Sequence, residues 1–177
     1  MDPVTIDNKQ ILSNKNDMLP IKPELSSKQI KKNLTSFWGI ELNNDIIQNT
    51  IIQEILQDNP HLIPLNKIHS TILYVGKKIN DNEQKYIPYE NKKCKIYISH
   101  VGFSDDAIAL KIDKIILTET LEKMPSDAVI QHVTIALKKG IPAKDSIKTL
   151  EHNEVNNNYI KFNELIELEG NVKRYLF

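Results

Sequence analysis

Two short stretches of this 177-residue chain share a pattern suited to proton chemistry: His69-Ser70-Thr71-Ile72 and His132-Val133-Thr134-Ile135. Both read His-x-Thr-apolar, and each sits inside a β-like run. Imidazole changes charge near neutral pH, so it can give or take a proton under ordinary conditions. A hydroxyl beside it can donate a hydrogen bond to nearby negative charge. In a strand, residues i and i+2 point to the same face, about 6.5–7 Å apart. His69 therefore shares a face with Thr71, and His132 with Thr134. The opposite faces carry Ile68, Ile72 and Tyr74 in the first run, and Val133, Ile135 and Leu137 in the second. Each strand would anchor itself with one face and present imidazole plus hydroxyl on the other. The competing reading is two half-buried strand histidines hydrogen-bonded to their neighbours.

Composition limits what these residues can work with. The chain has 23 basic and 23 acidic residues, for a net charge of zero. A general polyanion binder needs a basic face to release counterions, so that class is disfavoured. Of the basic residues 22 are lysine, and Arg174 is the only arginine. No arginine fork is available in the body of the chain to grip phosphate with two parallel bonds. Phosphate chemistry would have to use hydroxyls, backbone N–H groups, lysines or histidines. Ile (27) and Asn (18) are also abundant, which with Lys suggests an A/T-rich coding genome. Cys94 is the only cysteine, so no intramolecular disulfide is expected and a zinc site would be built mostly of His and carboxylate. No basic-then-apolar leader opens the chain and no run approaches 18 apolar residues. A reducing, cytoplasmic setting is expected.

The elements that must position the two motifs follow from periodicity. Residues 1–33 are rich in Asn, Lys, Ser and Pro and are expected to form a flexible arm, leaving 34–177 as the domain. The spacing predicts a strand over 34–42, then a helix over about 44–59 with Asn44 as its cap and Pro60 as its stop. Strands are predicted over 67–76, 94–103, 107–113 and 127–137. A turn with a short helix is expected in 77–92, a short helix over 116–124, and a helical turn around Asp145–His152. The last two strands, YIKFNELIEL and VKRYLF, would be joined at the hairpin-type dipeptide Gly170-Asn171. Strands in hairpins with a few helices give an α+β class with antiparallel pairing.

HSTILYVG and HVTIAL, followed by KKGIPAKDSIKTL, resemble the motifs of the two-histidine (2H) phosphoesterase superfamily. The likeness is to the cyclic phosphodiesterase domain of plant and fungal tRNA ligases and to viral members. FWGIEL is similar to that branch's first strand, and ELIELEGNVKRYLF to its final hairpin. The resemblance implies two pseudo-symmetric lobes, each an antiparallel sheet with flanking helices, around a central cleft. It implies His69 and His132 as a catalytic pair, one the general acid and the other the general base in an order the sequence does not assign, and Thr71 and Thr134 as phosphate-binding donors. It also implies that no metal or other cofactor is needed. The substrates would be 2'-linked or 2',3'-cyclic ribonucleotide phosphodiesters: RNA ends, 2'-5' oligoadenylates or cyclic dinucleotides. With no ligase or kinase module in view, the chain would be the phosphodiesterase alone. In a viral or parasite genome, its use would be to degrade a host nucleotide second messenger in the host cytosol.

Other residues are secondary. Tyr74, Lys138 and Lys144 are expected to help bind substrate, while Lys138, Lys139 and Lys144 can equally be solvated loop lysines. Phe37, Trp38, Tyr86 and Tyr89 offer rings for a base, but core is their expected role, and Phe37 and Trp38 cannot share a strand face. His100 is a third imidazole for zinc only if it meets His69 and His132, at a spacing that matches no zinc motif. His61 and His152 look like loop residues, and Cys94 is expected to be buried. The expected partner is a nucleotide or RNA end, with no membrane and no obligate protein. The rival class is a non-catalytic nucleotide- or RNA-binding module on the same fold.

Overall fold

The computed structural model describes residues 34–76 and 81–177; the arm expected over 1–33 lies outside the described residues. Seven strands are β1 (Thr35–Leu42), β2 (Leu62–Pro64), β3 (Ile68–Tyr74), β4 (Lys93–Phe103), β5 (Ala107–Leu117), β6 (His132–Lys138) and β7 (Ile160–Leu176). They form one sheet in the order β2-β6-β5-β4-β7-β1-β3. Every neighbouring pair is antiparallel. Among the described residues two α-helices, α1 (Thr50–Asp58) and α2 (Ser146–Asn156), and several short 3-10 turns accompany it. Among the described residues no helix is long and apolar enough to cross a membrane.

The expected pair of pseudo-symmetric sheets does not form. Its cause is local: no hairpin is made at Gly170-Asn171. Instead β7 runs unbroken for 17 residues. It hydrogen-bonds to β4 on one side and to β1 on the other, so both halves belong to a single sheet. Gly170 is paired with both Leu42 and Cys94. A Cβ there would lie 2.5 Å from Ile40 Cγ2 and 2.9 Å from Leu42 Cδ2. The glycine therefore serves close packing inside a strand rather than a turn.

Other boundaries moved for similar reasons. The helix expected over 44–59 is two pieces. Asn43 caps a 3-10 turn, Asn44–Gln48, and Asn49 caps α1 by accepting from Ile51 N at 3.0 Å and Ile52 N at 3.3 Å. Asn49 lies at ψ 133°, which breaks helical continuity. No helix forms over 116–124. β5 continues to Leu117, and a turn returns the chain so that Leu117 N donates to Glu122 O at 2.8 Å. Residues 127–131 are not strand either; β6 begins at His132.

Isoleucine fills the core. Trp38, Ile40, Ile52, Ile72, Ile96, Ile98, Ile108, Leu110, Ile115, Val133 and Ile135 are fully buried. Each large side chain removed from water contributes roughly 1.5–3 kcal/mol. Trp38 satisfies its indole by donating to Glu83 Oε1 at 2.9 Å.

The seam at Gly170 gives a stability prediction. Gly170→Ala should destabilise the fold by about 1–3 kcal/mol, the usual range for overpacking. Urea denaturation measures this, and wild-type stability in the variant would show that the close approach of β7 to β1 is not needed.

Candidate active site

β3 is an edge strand, and β6 lies next to the opposite edge. With strands about 4.8 Å apart, a flat sheet would separate them by roughly 24 Å. They nevertheless line one cavity of about 590 Å³. Strands twist, and bulges increase the twist locally. Register shifts occur in β1 at Trp38/Gly39, twice between β4 and β5 around Ile98, and between β5 and β6 at Ile108/Ala109. The segment leading into β6 also lies directly against β3, where Asp127 N donates to Ile72 O at 2.9 Å.

His69, Thr71, His132 and Thr134 all line this cavity. Tyr74, which strict alternation places on the opposite, anchoring face, instead lines the cavity from the end of β3, 72% exposed, beyond the register shift with β1; Lys144 joins from the 3-10 turn Ala143–Asp145 ahead of α2. Lys138 does not: its ammonium is paired with Asp105 Oδ2 at 2.9 Å. Leu65, Leu73 and Ile130 extend the wall with apolar surface, and Ile147 does so from α2.

The two imidazoles are held differently. His69 packs against Phe37, with ring centroids 5.0 Å apart, and against Tyr175 at 5.5 Å. Phe37 and Tyr175 stack on each other at 4.3 Å, so β1 and β7 together buttress the ring. Burial lowers the pKa of His69 below the usual 6.5, and the nearby His132 lowers it further. His132 Nδ1 lies 3.1 Å from Ile130 O. A carbonyl can only accept, so Nδ1 carries the hydrogen and Nε2 is left as the exchangeable position. Burial also lowers the pKa of His132; the Ile130 carbonyl opposes this and the Lys111 ammonium adds to it.

The two threonines differ too. Thr134 is buried, and its Oγ1 is 2.6 Å from Ser146 Oγ and donates to Ala143 O at 3.4 Å. Ser146 is the first residue of α2, so the second motif is tied to the start of that helix.

The remaining sequence candidates are elsewhere. Trp38 and Tyr86 are in the core, and Tyr86 donates to Asp127 Oδ2 at 2.7 Å. Tyr89 packs on the core edge. His100, on β4, does not line the cavity and faces Glu154. His61 pairs with Asp105, and His152 lies on α2. Cys94 is buried, with its thiol pushed up to about 12 by desolvation. Among the described residues no group of three His, Cys, Asp or Glu side chains is placed to hold a metal ion.

Sequence reasoning passed over three supports: Phe37 and Tyr175 against His69, and Lys111 beside His132. The first two were visible only as aromatic strand residues. Lys111 becomes a neighbour of His132 only through the β5–β6 register.

No family model and no curated protein matches the chain. Among solved structures it is similar to the crystal structure of a fungal RNA kinase, with a TM-score of 0.55 and 14% identity, over 95% of this chain and 52% of that one. At that identity the likeness shows the fold alone. The chain spans about half the length of that structure. Membership of the two-histidine superfamily is therefore not carried: the bilobal arrangement it implies is replaced by one seven-stranded sheet, and the likeness to the fungal RNA kinase structure is remote.

Proposed function

We propose that this chain is a phosphodiesterase acting on a ribonucleotide phosphodiester, with His69 as general base and His132 as general acid. The observation behind this reading is that both imidazoles and both motif threonines line one cavity although their strands are not neighbours in the sheet. The substrate with the chemistry to suit it is a 2',3'-cyclic phosphate, whose strained ring opens without heavy electrophilic assistance. His69 takes a proton from water, whose oxygen attacks phosphorus. The bond to a ribose oxygen breaks, and His132 supplies the proton that oxygen needs. His132 suits the acid role because the Ile130 carbonyl supports its imidazolium. His69 suits the base role because its aromatic surroundings and the charge of His132 favour the neutral ring. Thr71 and the Lys144 ammonium are available to non-bridging oxygens. Tyr74, exposed at the cavity wall, offers a ring face to a base.

A second reading, a nucleotide-binding module without turnover, draws on Thr134, whose hydroxyl is already engaged with Ala143 and Ser146. A metal-free panel of 2',3'-cyclic nucleotides, 2'-5' oligoadenylates and 2'-linked cyclic dinucleotides separates the two. Turnover of one class supports hydrolysis; saturable binding with no product supports the module.

Two results follow from the mechanism. His69→Ala and His132→Ala should each lower kcat by about 10²–10⁴-fold, with folding intact by circular dichroism. EDTA should leave the wild-type rate unchanged, since no step uses a metal ion; full activity in His132→Ala, or EDTA-abolished activity restored by Mg²⁺, would overturn it.

The pH dependence has a definite sign. The base must be neutral, so rate is lost as pH falls through the lowered value of His69. The acid must be protonated, so rate is lost as pH rises through the lowered value of His132. Both lie below 6.5, so the maximum of kcat/KM should fall on the acid side of 6.5. A maximum above pH 7 would rule out this pair of assignments.

A further inference from the structure

Lys111 is paired across the sheet with His132 on β6 and with His100 on β4. Directly opposed residues share a face, so His132, Lys111 and His100 form a row on one side of the sheet. Lys161 of β7 extends it as the partner of His100. A single carboxylate reaches this row from α2. Glu154 Oε1 lies 3.0 Å from Lys111 Nζ and 3.4 Å from His100 Nε2. His100 is 9% exposed, and its Nε2 makes no hydrogen bond.

We propose that Glu154, by holding the Lys111 ammonium, controls how readily His132 carries a proton, and that His100 competes for the same carboxylate oxygen. Lys111 and Glu154 are positioning residues, since neither lines the cavity. A lysine beside an imidazole disfavours its protonation, and a carboxylate on that lysine offsets much of the repulsion. The surroundings are consistent with this. His132 is faced by His69 from β3 and Lys111 from β5, and the cavity wall adds Asp127 and Lys144. His100 is faced by Glu154 from α2, Lys111 from β5 and Lys161 from β7, with Tyr159 at 4.4 Å and Ser99 Oγ at 3.1 Å. Of these groups, Glu154 is the acid that bridges the row. When His100 gains a proton it takes a share of that acid, leaving Lys111 less compensated and His132 harder to protonate.

The coupling is testable without substrate; its catalytic meaning rests on His132 being the general acid. NMR titration of labelled histidines in the full chain reads the midpoint of His132 directly. Glu154→Gln should lower that midpoint and Lys111→Met should raise it, each by roughly half a pH unit or more, as expected for one charge at close range. Opposite signs in two variants exclude a general loosening of the fold, and a well-dispersed spectrum confirms folding in each. An unmoved midpoint, or a shift of the same sign in both, overturns the inference. The alkaline limb of 2',3'-cyclic nucleotide hydrolysis should follow the midpoint in both variants. Midpoints that move as expected without the limb would support the coupling and overturn the acid role of His132.

Discussion

One strand holds this molecule together. Among the described strands β7 joins, in the sheet order, the arm carrying His69 to the arm carrying His132. Its ladders to β1 and β4 fix where β3 stands relative to β5 and β6. The absence of a side chain at Gly170 lets Ile40, Leu42 and the strand backbone meet there. Towards its C-terminal end the same strand supplies Tyr175, which stacks on Phe37 and against His69. Position and ring orientation of the first histidine thus both depend on one continuous run of backbone.

The second histidine depends on different contacts. Its ring is tied to the backbone two residues earlier, and the threonine sharing its face is tied to the first residue of α2. The far end of that helix packs closely: Asn153 Oδ1 accepts from Phe103 N at 2.7 Å, and a Cβ at Gly102 would sit 2.6 Å from the same oxygen. A helix clamped at both ends brings Glu154 within reach of the strand row. Two imidazoles of one chemical type are thereby given unequal environments, an aromatic pocket for one and a backbone carbonyl with a screened lysine for the other. Such inequality is what the proposed acid and base roles require.

Much of this was legible in the residues. The paired motifs, their strand context, the apolar anchoring face of the second motif strand and the separation of Trp38 from Phe37 follow from alternation and residue type. The lost features have physical reasons. Gly-Asn is a strong turn signal locally, but at Gly170 the demand for close packing between strands prevails. LTETLEKM has helical composition, yet the β4–β5 ladder extends through Leu117 and a short turn satisfies the rest. Lys138 follows its motif closely in sequence, but Asp105 lies nearer than the cavity. Supports such as Lys111, Phe37 and Tyr175 arise from register, which one sequence does not display.

The place of β3 in the sheet has a consequence beyond chemistry. An edge strand exposes unpaired backbone groups that can template a strand from another chain. The opposite edge, β2, is protected by being three residues long and ending in Pro64. β3 is longer and apolar on one face, with neither device. Its guard is the connection before β6, where Asp127 N–H and the Ser126 hydroxyl both donate to Ile72 O. Asp127 is held in turn by Lys85 and Tyr86. Loosening that brace would open the cavity wall and bare a strand edge at once, so the contacts that shape the site also cover backbone that a strand from another chain could otherwise pair with.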